Sequence, residues 1–125
     1  MAKMHERQIF QELATLITSD SPTTWFSLIS IYLCHDGAMK LTHYFREAPT
    51  SDWCSFDPSS VGFDIMDWWE NYHGLVKQAE GNEFKFAAAV LDRSGNLRLK
   101  LSYEIVDPLA GIDILKMAEK LINNS

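Results

Sequence analysis

The chain has 125 residues, 46% of them hydrophobic and 22% charged, and carries a net charge of −6. That is enough for one compact domain with its own core and too little for two, and the charge fraction excludes a disordered chain. The negative balance excludes nucleic acid as an expected partner, since the chain would repel phosphates instead of displacing their counterions, while the same field speeds encounter with a basic protein.

Residues 4–18 are predicted to form a helix. Ile9, Phe10, Leu13, Leu16 and Ile17 fall on one stripe, with Glu6, Arg7, Gln11 and Glu12 around the rest. The stretch SDSP stops it, because Pro22 disfavours helical backbone in the residue before it. TWFSLISIYLC, 24–34, is rich in aromatic and β-branched residues with few polar positions, which predicts a strand covered on much of both faces. Asp36-Gly37 signals a tight turn. AMKLTHYFRE, 38–47, then alternates, with Met39, Leu41, His43 and Phe45 on one face and Lys40, Thr42, Tyr44 and Arg46 on the other.

That alternation bears on chemistry. HDGAMKLTHYF packs two histidines, an aspartate and a tyrosine into a short stretch that looks catalytic. Yet His35 and Asp36 belong to the turn, and His43 and Tyr44 are strand neighbours that point to opposite faces. They cannot converge on one substrate atom or one metal, so His43 is expected at the edge of a core face.

APTSDWCSFDPSSVGF, 48–63, reads as a long loop, and loops of that length inside compact domains are often functional. Residues 64–81 are predicted helical and closed by Gly81. Ile65, Trp68, Trp69, Tyr72, Leu75, Val76 and Ala79 make the apolar stripe, and Asp64, Asp67 and Glu70 crowd the first half, where the helix dipole favours negative charge. EFKFAAAVLD, 83–92, is a strand, RSGN a turn, and LRLKLSYEIV, 97–106, a strand with one dry and one wet face. The last element is a helix over 107–124, with Asp107 as N-cap, Pro108 at its first position and a buried stripe of Ile114, Met117, Ala118, Leu121 and Ile122. The expected fold is therefore α+β: a single domain over 1–125, in the order α-β-β-α-β-β-α, with a four-stranded antiparallel sheet and helices packed on it.

No Gly-rich phosphate loop, HExxH, GxSxG or EF-hand spacing occurs, and the four histidines are scattered. No cofactor, metal or catalytic residue is expected. Cys34 and Cys54 form no CxxC, and Cys34 ends an apolar strand where a thiol acts as a small hydrophobe; a disulfide between them is not required. The N-terminal stretch lacks the apolar core of a signal peptide, and no run approaches the ~18 apolar residues of a membrane span, so a reduced, cytoplasmic protein is expected, with no membrane partner.

The carboxylates carry the functional expectation. Asp52, Asp57, Asp64, Asp67 and Glu70 are interleaved with Trp53, Phe56, Trp68 and Trp69. Asp64, Asp67 and Glu70 recur every three residues and so roughly share one side of the helix. Trp68 and Trp69 lie on the core stripe, but Trp53 sits in the loop, and Trp is the strongest anchor type at protein interfaces. Asp52, Trp53, Asp57, Asp64, Asp67 and Glu70 are therefore the candidate partner-binding residues.

Three stretches give the chain a resemblance to a known family. HERQIFQELATLI followed by TTWFSLISIYL, the helix DIMDWWENYHGLVKQ, and the hairpin FKFAAAVLDRSGNLRLKLSYEIVD resemble the YezG-like immunity proteins of bacterial polymorphic-toxin and contact-dependent inhibition systems. The resemblance implies a non-enzymatic protein that binds a co-encoded toxin with a basic surface, often a nuclease, and occludes its active site or substrate groove. A monomer or weak dimer is expected. The alternative is a type III secretion-type chaperone, also small and acidic, which would be an obligate dimer holding an extended effector segment.

Overall fold

The computed structural model describes residues 2–19, 24–35, 37–58, 62–104 and 113–123. Their elements are α1 (Ala2–Ser19), β1 (Ser27–His35), β2 (Ala38–Arg46), β3 (Cys54–Ser55), α2 (Gly62–Glu80), β4 (Phe86–Asp92), β5 (Leu97–Ser102) and α3 (Ile114–Asn123). The sheet has five strands in the order β3-β2-β1-β4-β5, all antiparallel. The α+β class and the three helices are as expected. The four-stranded count is corrected by β3, which lies in the segment read as loop.

The β1–β2 turn has Gly37 at φ 77°, a left-handed conformation that glycine adopts without steric cost; Asp36 lies outside the described residues. The central pair, β1 and β4, is apolar on both sides because helices cover both faces. Leu28 and Tyr32 join Ala87, Ala89 and Leu91 under α1 and α2, where they meet Leu13, Ile17, Ile65, Trp68 and Trp69. On the opposite face Ile29, Ile31 and Leu33 join Phe86, Ala88 and Val90 under Ala118 and Ile122 of α3. The result is three layers: two helices, the sheet, one helix. The three alanines of β4 have no exposure, so their small side chains let helices approach the sheet closely on both faces.

The stripes expected on α1 and α3 face these cores, as do Ile65, Trp68, Trp69, Tyr72 and Val76 of α2, whereas Leu75 and Ala79 of its expected stripe are exposed. α2 ends at Gly81, whose N–H donates to the Lys77 carbonyl at 2.8 Å with φ 72°. At α3, the Asp107 cap and Pro108 lie outside the described residues. The described helix is capped by Asp113, whose carboxylate Oδ1 accepts from the Lys116 N–H at 3.1 Å and whose carbonyl accepts from Met117 at 3.1 Å.

β3 exists because its flanking aromatics anchor it from both sides. Phe45 pairs with Cys54 and Tyr44 with Ser55, and the Phe56 N–H donates to the His43 carbonyl at 3.1 Å. Phe56 packs against Phe45 and His43 on the α1/α2 face, while Trp53 packs in the core under α3. The wet face expected on β5 is also corrected. α3 lies against β5 as well as β4, leaving Lys100 and Ser102 half-buried while Arg98 stays exposed. Cys34 and Cys54 are free thiols.

Candidate functional site

The six candidate residues fall in three different places. Asp64 and Asp67 line a groove between α1 and α2, with Ile9, Glu12, Leu16 and the outer edges of Trp68, Tyr72 and Leu75. The groove holds about 200 Å³. The Trp68 indole donates to the Ile9 carbonyl at 2.8 Å, which ties the two helices together along its floor. Glu70, one helical step further on, turns out of this groove and lines a separate cleft. The shared side expected for the three acids is thus only partial, because a three-residue repeat drifts round a 3.6-residue helix.

Trp53 is on the other side of the sheet. It is half-buried, the Arg46 guanidinium lies 4.6 Å from its ring centroid, and its Nε1–H donates to Glu119 of α3 at 3.3 Å. These contacts give the residue a packing role that sequence could not show, because Glu119 lies far along the chain on α3. Asp52 and Asp57 are exposed beside β3 at the sheet edge.

The outer surface of α2 is the most unusual exterior among the described residues. Phe63 is 83% exposed and Leu75 51%, the two highest values among the large apolar side chains of the described residues. Phe63, Asp67, Glu70 and Gly74 follow at i, i+4, i+7 and i+11, so they form one outward stripe. The spacing of Leu75 places it on the core stripe, and its exposure corrects that expectation. Gly74 sits mid-helix, with nothing within 4 Å of where a Cβ would stand. No internal packing calls for a glycine there, and glycine costs a helix interior up to about 1 kcal/mol relative to alanine. Gly74→Ala is accordingly expected to raise unfolding free energy by roughly 0.5–1 kcal/mol. Urea denaturation checks it, and a loss of stability would show a constraint on Gly74 from within the fold.

A second cleft, of about 470 Å³, opens beside the end of β1 and gathers Tyr32, Cys34, His35, Glu70, His73, Glu83 and Lys85. Its electrostatics are internally balanced. Glu83 receives the Lys85 ammonium at 2.6 Å, with Lys77 at 3.6 Å and His73 Nε2 at 3.8 Å. The hydrogen bond and charge of Lys85 hold the Glu83 carboxyl below its usual range, and Glu83 raises Lys85 in turn. Burial, followed by Cys34, raises the Tyr32 phenol. Among the described residues no group of three or more His, Cys, Asp or Glu is arranged to hold a metal ion.

His43 meets its expectation as a core-facing residue and adds a hydrogen-bond chain. Ser30 Oγ lies 3.0 Å from His43 Nε2 and accepts the Trp69 Nε1–H at 3.0 Å. Burial pushes His43 down to about 4, against a smaller upward pull from Asp57. A neutral His43 then accepts at Nε2 from the Ser30 hydroxyl, which itself accepts from Trp69, so the serine both donates and accepts. Ser30 has no exposure, so this serine–histidine pair is closed to substrate.

Among the described residues no helix is long and apolar enough to cross a membrane. The chain matches no model of a known protein family and no curated protein sequence at a significant level.

Proposed function

We propose that the chain is an immunity protein that binds a cognate toxin of nuclease type and neutralises it by occluding its active site or substrate groove. The observation that carries this reading is the outer surface of α2, where exposed Phe63 and Leu75 stand among Asp64, Asp67 and Glu70. Exposed large apolar groups set among like charges suit a partner of opposite sign. The charges steer the encounter, and the apolar groups supply the contact that water-exposed ion pairs do not. A nuclease presents such a basic surface because it must hold phosphates. The net charge of −6 and the resemblance of the helix DIMDWWENYHGLVKQ point the same way.

Co-expression with the product of the adjacent upstream reading frame tests the proposal. Growth arrest by that product alone, relieved by this protein, is expected, with a one-to-one complex on size-exclusion chromatography. A harmless product, or arrest that persists, defeats the reading, and an obligate dimer would favour the secretion chaperone. Asp64→Lys, Asp67→Lys and Glu70→Lys combined should weaken the complex by roughly tenfold or more, since like charges at an interface rim slow association and oppose docking. Each exposed site should change stability by less than about 0.5 kcal/mol. Unchanged affinity in the triple variant would place the interface elsewhere.

A further inference from the structure

We infer that the trough running along α2 is the seat for a cationic amphipathic helix of a protein partner, with Gly74 as its point of closest approach. The inference rests on the reading of the chain as a toxin-binding protein and names the surface and the chemistry of the bound segment.

The α1–α2 groove and the shallow concavity around Gly74 are continuous, because Asn71 and Leu75 line both. The floor is apolar, built from Ile9, Leu16 and Leu75. Its rim toward the start of α2 carries Glu12, Asp64 and Asp67, and among the described residues no cationic side chain lines the groove. The ion pairs among the described residues centre on Glu83, so none engages these three carboxylates. The opposite end of the trough is lined by Glu70 and Lys77, one acid and one base, so the unbalanced negative charge lies toward the start of α2. A segment bearing apolar side chains on one face and Lys or Arg toward one end complements this distribution, with its basic end over Asp64 and Asp67.

Gly74 supplies an independent reason. A glycine weakens the helix that carries it and makes no use of its small size within the fold, where a Cβ would meet only open space. Its missing side chain leaves a dent beside Leu75 on the outer surface of α2. A glycine at that position lets a partner's backbone come close to α2, as small residues do where helices cross.

The probe is a synthetic helical peptide of leucine and lysine with all lysines on one face, and its leucine–glutamate counterpart is the control. Binding is followed by chemical shifts of the Leu16 and Leu75 methyls and the Trp68 indole. The lysine peptide should shift these signals, and the glutamate peptide should not. Glu12→Lys, Asp64→Lys and Asp67→Lys combined should reduce the affinity at least about tenfold, whereas the charge-matched set Glu47→Lys, Glu80→Lys and Glu104→Lys, exposed and away from the trough, should reduce it far less. Gly74→Gln should raise the melting temperature and yet cut the affinity, a split that a purely structural glycine would not produce. Equal losses from the two charge sets, or shifts that map to another surface, would overturn the assignment. So would undiminished binding by Gly74→Gln. In the co-expression assay, wild-type protection with equal protection by the groove variants removes this seat alone, while failure of the wild type to protect removes the toxin-binding reading itself.

Discussion

Replacing Trp69 with alanine is expected to leave the domain largely unfolded at ordinary temperatures. Its indole has no exposure, stacks on Tyr32 at 5.4 Å between ring centroids and meets Trp68 edge-on at 5.0 Å. Truncating a buried Trp to alanine costs about 3–5 kcal/mol in transfer and cavity terms. Here the change also removes the N–H that Ser30 accepts; the hydroxyl keeps His43, so the lost hydrogen bond adds roughly 0.5–1.5 kcal/mol. The sum approaches the whole stability of a domain this size, which lies at about 5–15 kcal/mol. Trp69→Phe keeps much of the apolar contact but loses the hydrogen bond, so it should fall between wild type and alanine. Thermal and urea unfolding of the two variants check the order. A Trp69→Ala protein that melts within a few degrees of wild type would show that the α2–sheet core is not where the stability resides.

The second large effect is acid sensitivity. His43 is held at about 4 in the folded protein and has an ordinary value near 6.5 in the unfolded chain. As pH falls, the unfolded chain takes up this proton first, so stability drops. The His43 contribution is fully present above about pH 7, is lost progressively between 6.5 and 4, and changes no further below that. The difference corresponds to about 3 kcal/mol. The structural cause is that imidazolium must be buried and both its nitrogens become donors. The Ser30 hydroxyl must then turn to accept from His43 while still accepting from Trp69. His43→Gln has no such proton to gain. Urea unfolding at several pH values between 7 and 4 should show a steep loss in wild type and a shallower one in the variant. Parallel slopes would assign the acid sensitivity to other groups, among them Glu83, whose depressed carboxyl acts in the same direction at lower pH.

Much of the fold was legible because period and burial agree. The apolar run of β1 read as doubly covered, and Ile29, Ile31 and Leu33 do face α3 while Leu28 and Tyr32 face α1 and α2. Alternation in β2 puts His43 and Tyr44 on opposite faces of the sheet, and the structure has them there, His43 toward α1 and α2 and Tyr44 toward α3. What was missed depends on contacts between distant residues. β3 has two residues and no periodicity, and it forms only because Trp53 and Phe56 find pockets on either side of β2. The same distance hid the role of Trp53, whose attachment to Glu119 crosses from the sheet edge to α3. Leu75 has core spacing but stands 51% exposed, because it lines the open groove between α1 and α2 instead of a closed core. Of the candidate site, sequence named Asp64 and Asp67 but not Glu12, which reaches the same groove from another helix. Gly74 carried a signal that went unread: a glycine inside an otherwise strong helical pattern.

The pairing at the middle of the sheet has a kinetic consequence. β1 meets β4 through partners such as Leu33 with Phe86 and Ser27 with Asp92, more than fifty residues apart along the chain. Each flanking hairpin closes over a few residues and can zip early, but the two halves gain their common centre only after a long loop has been drawn together. During synthesis the ribosome must therefore release Asp92 before β1 has its second neighbour, and until then the apolar edge of the first hairpin stands open to other chains. Refolding should be slow beside that of helical proteins of equal length, and a nascent fragment ending before β4 should be prone to aggregate.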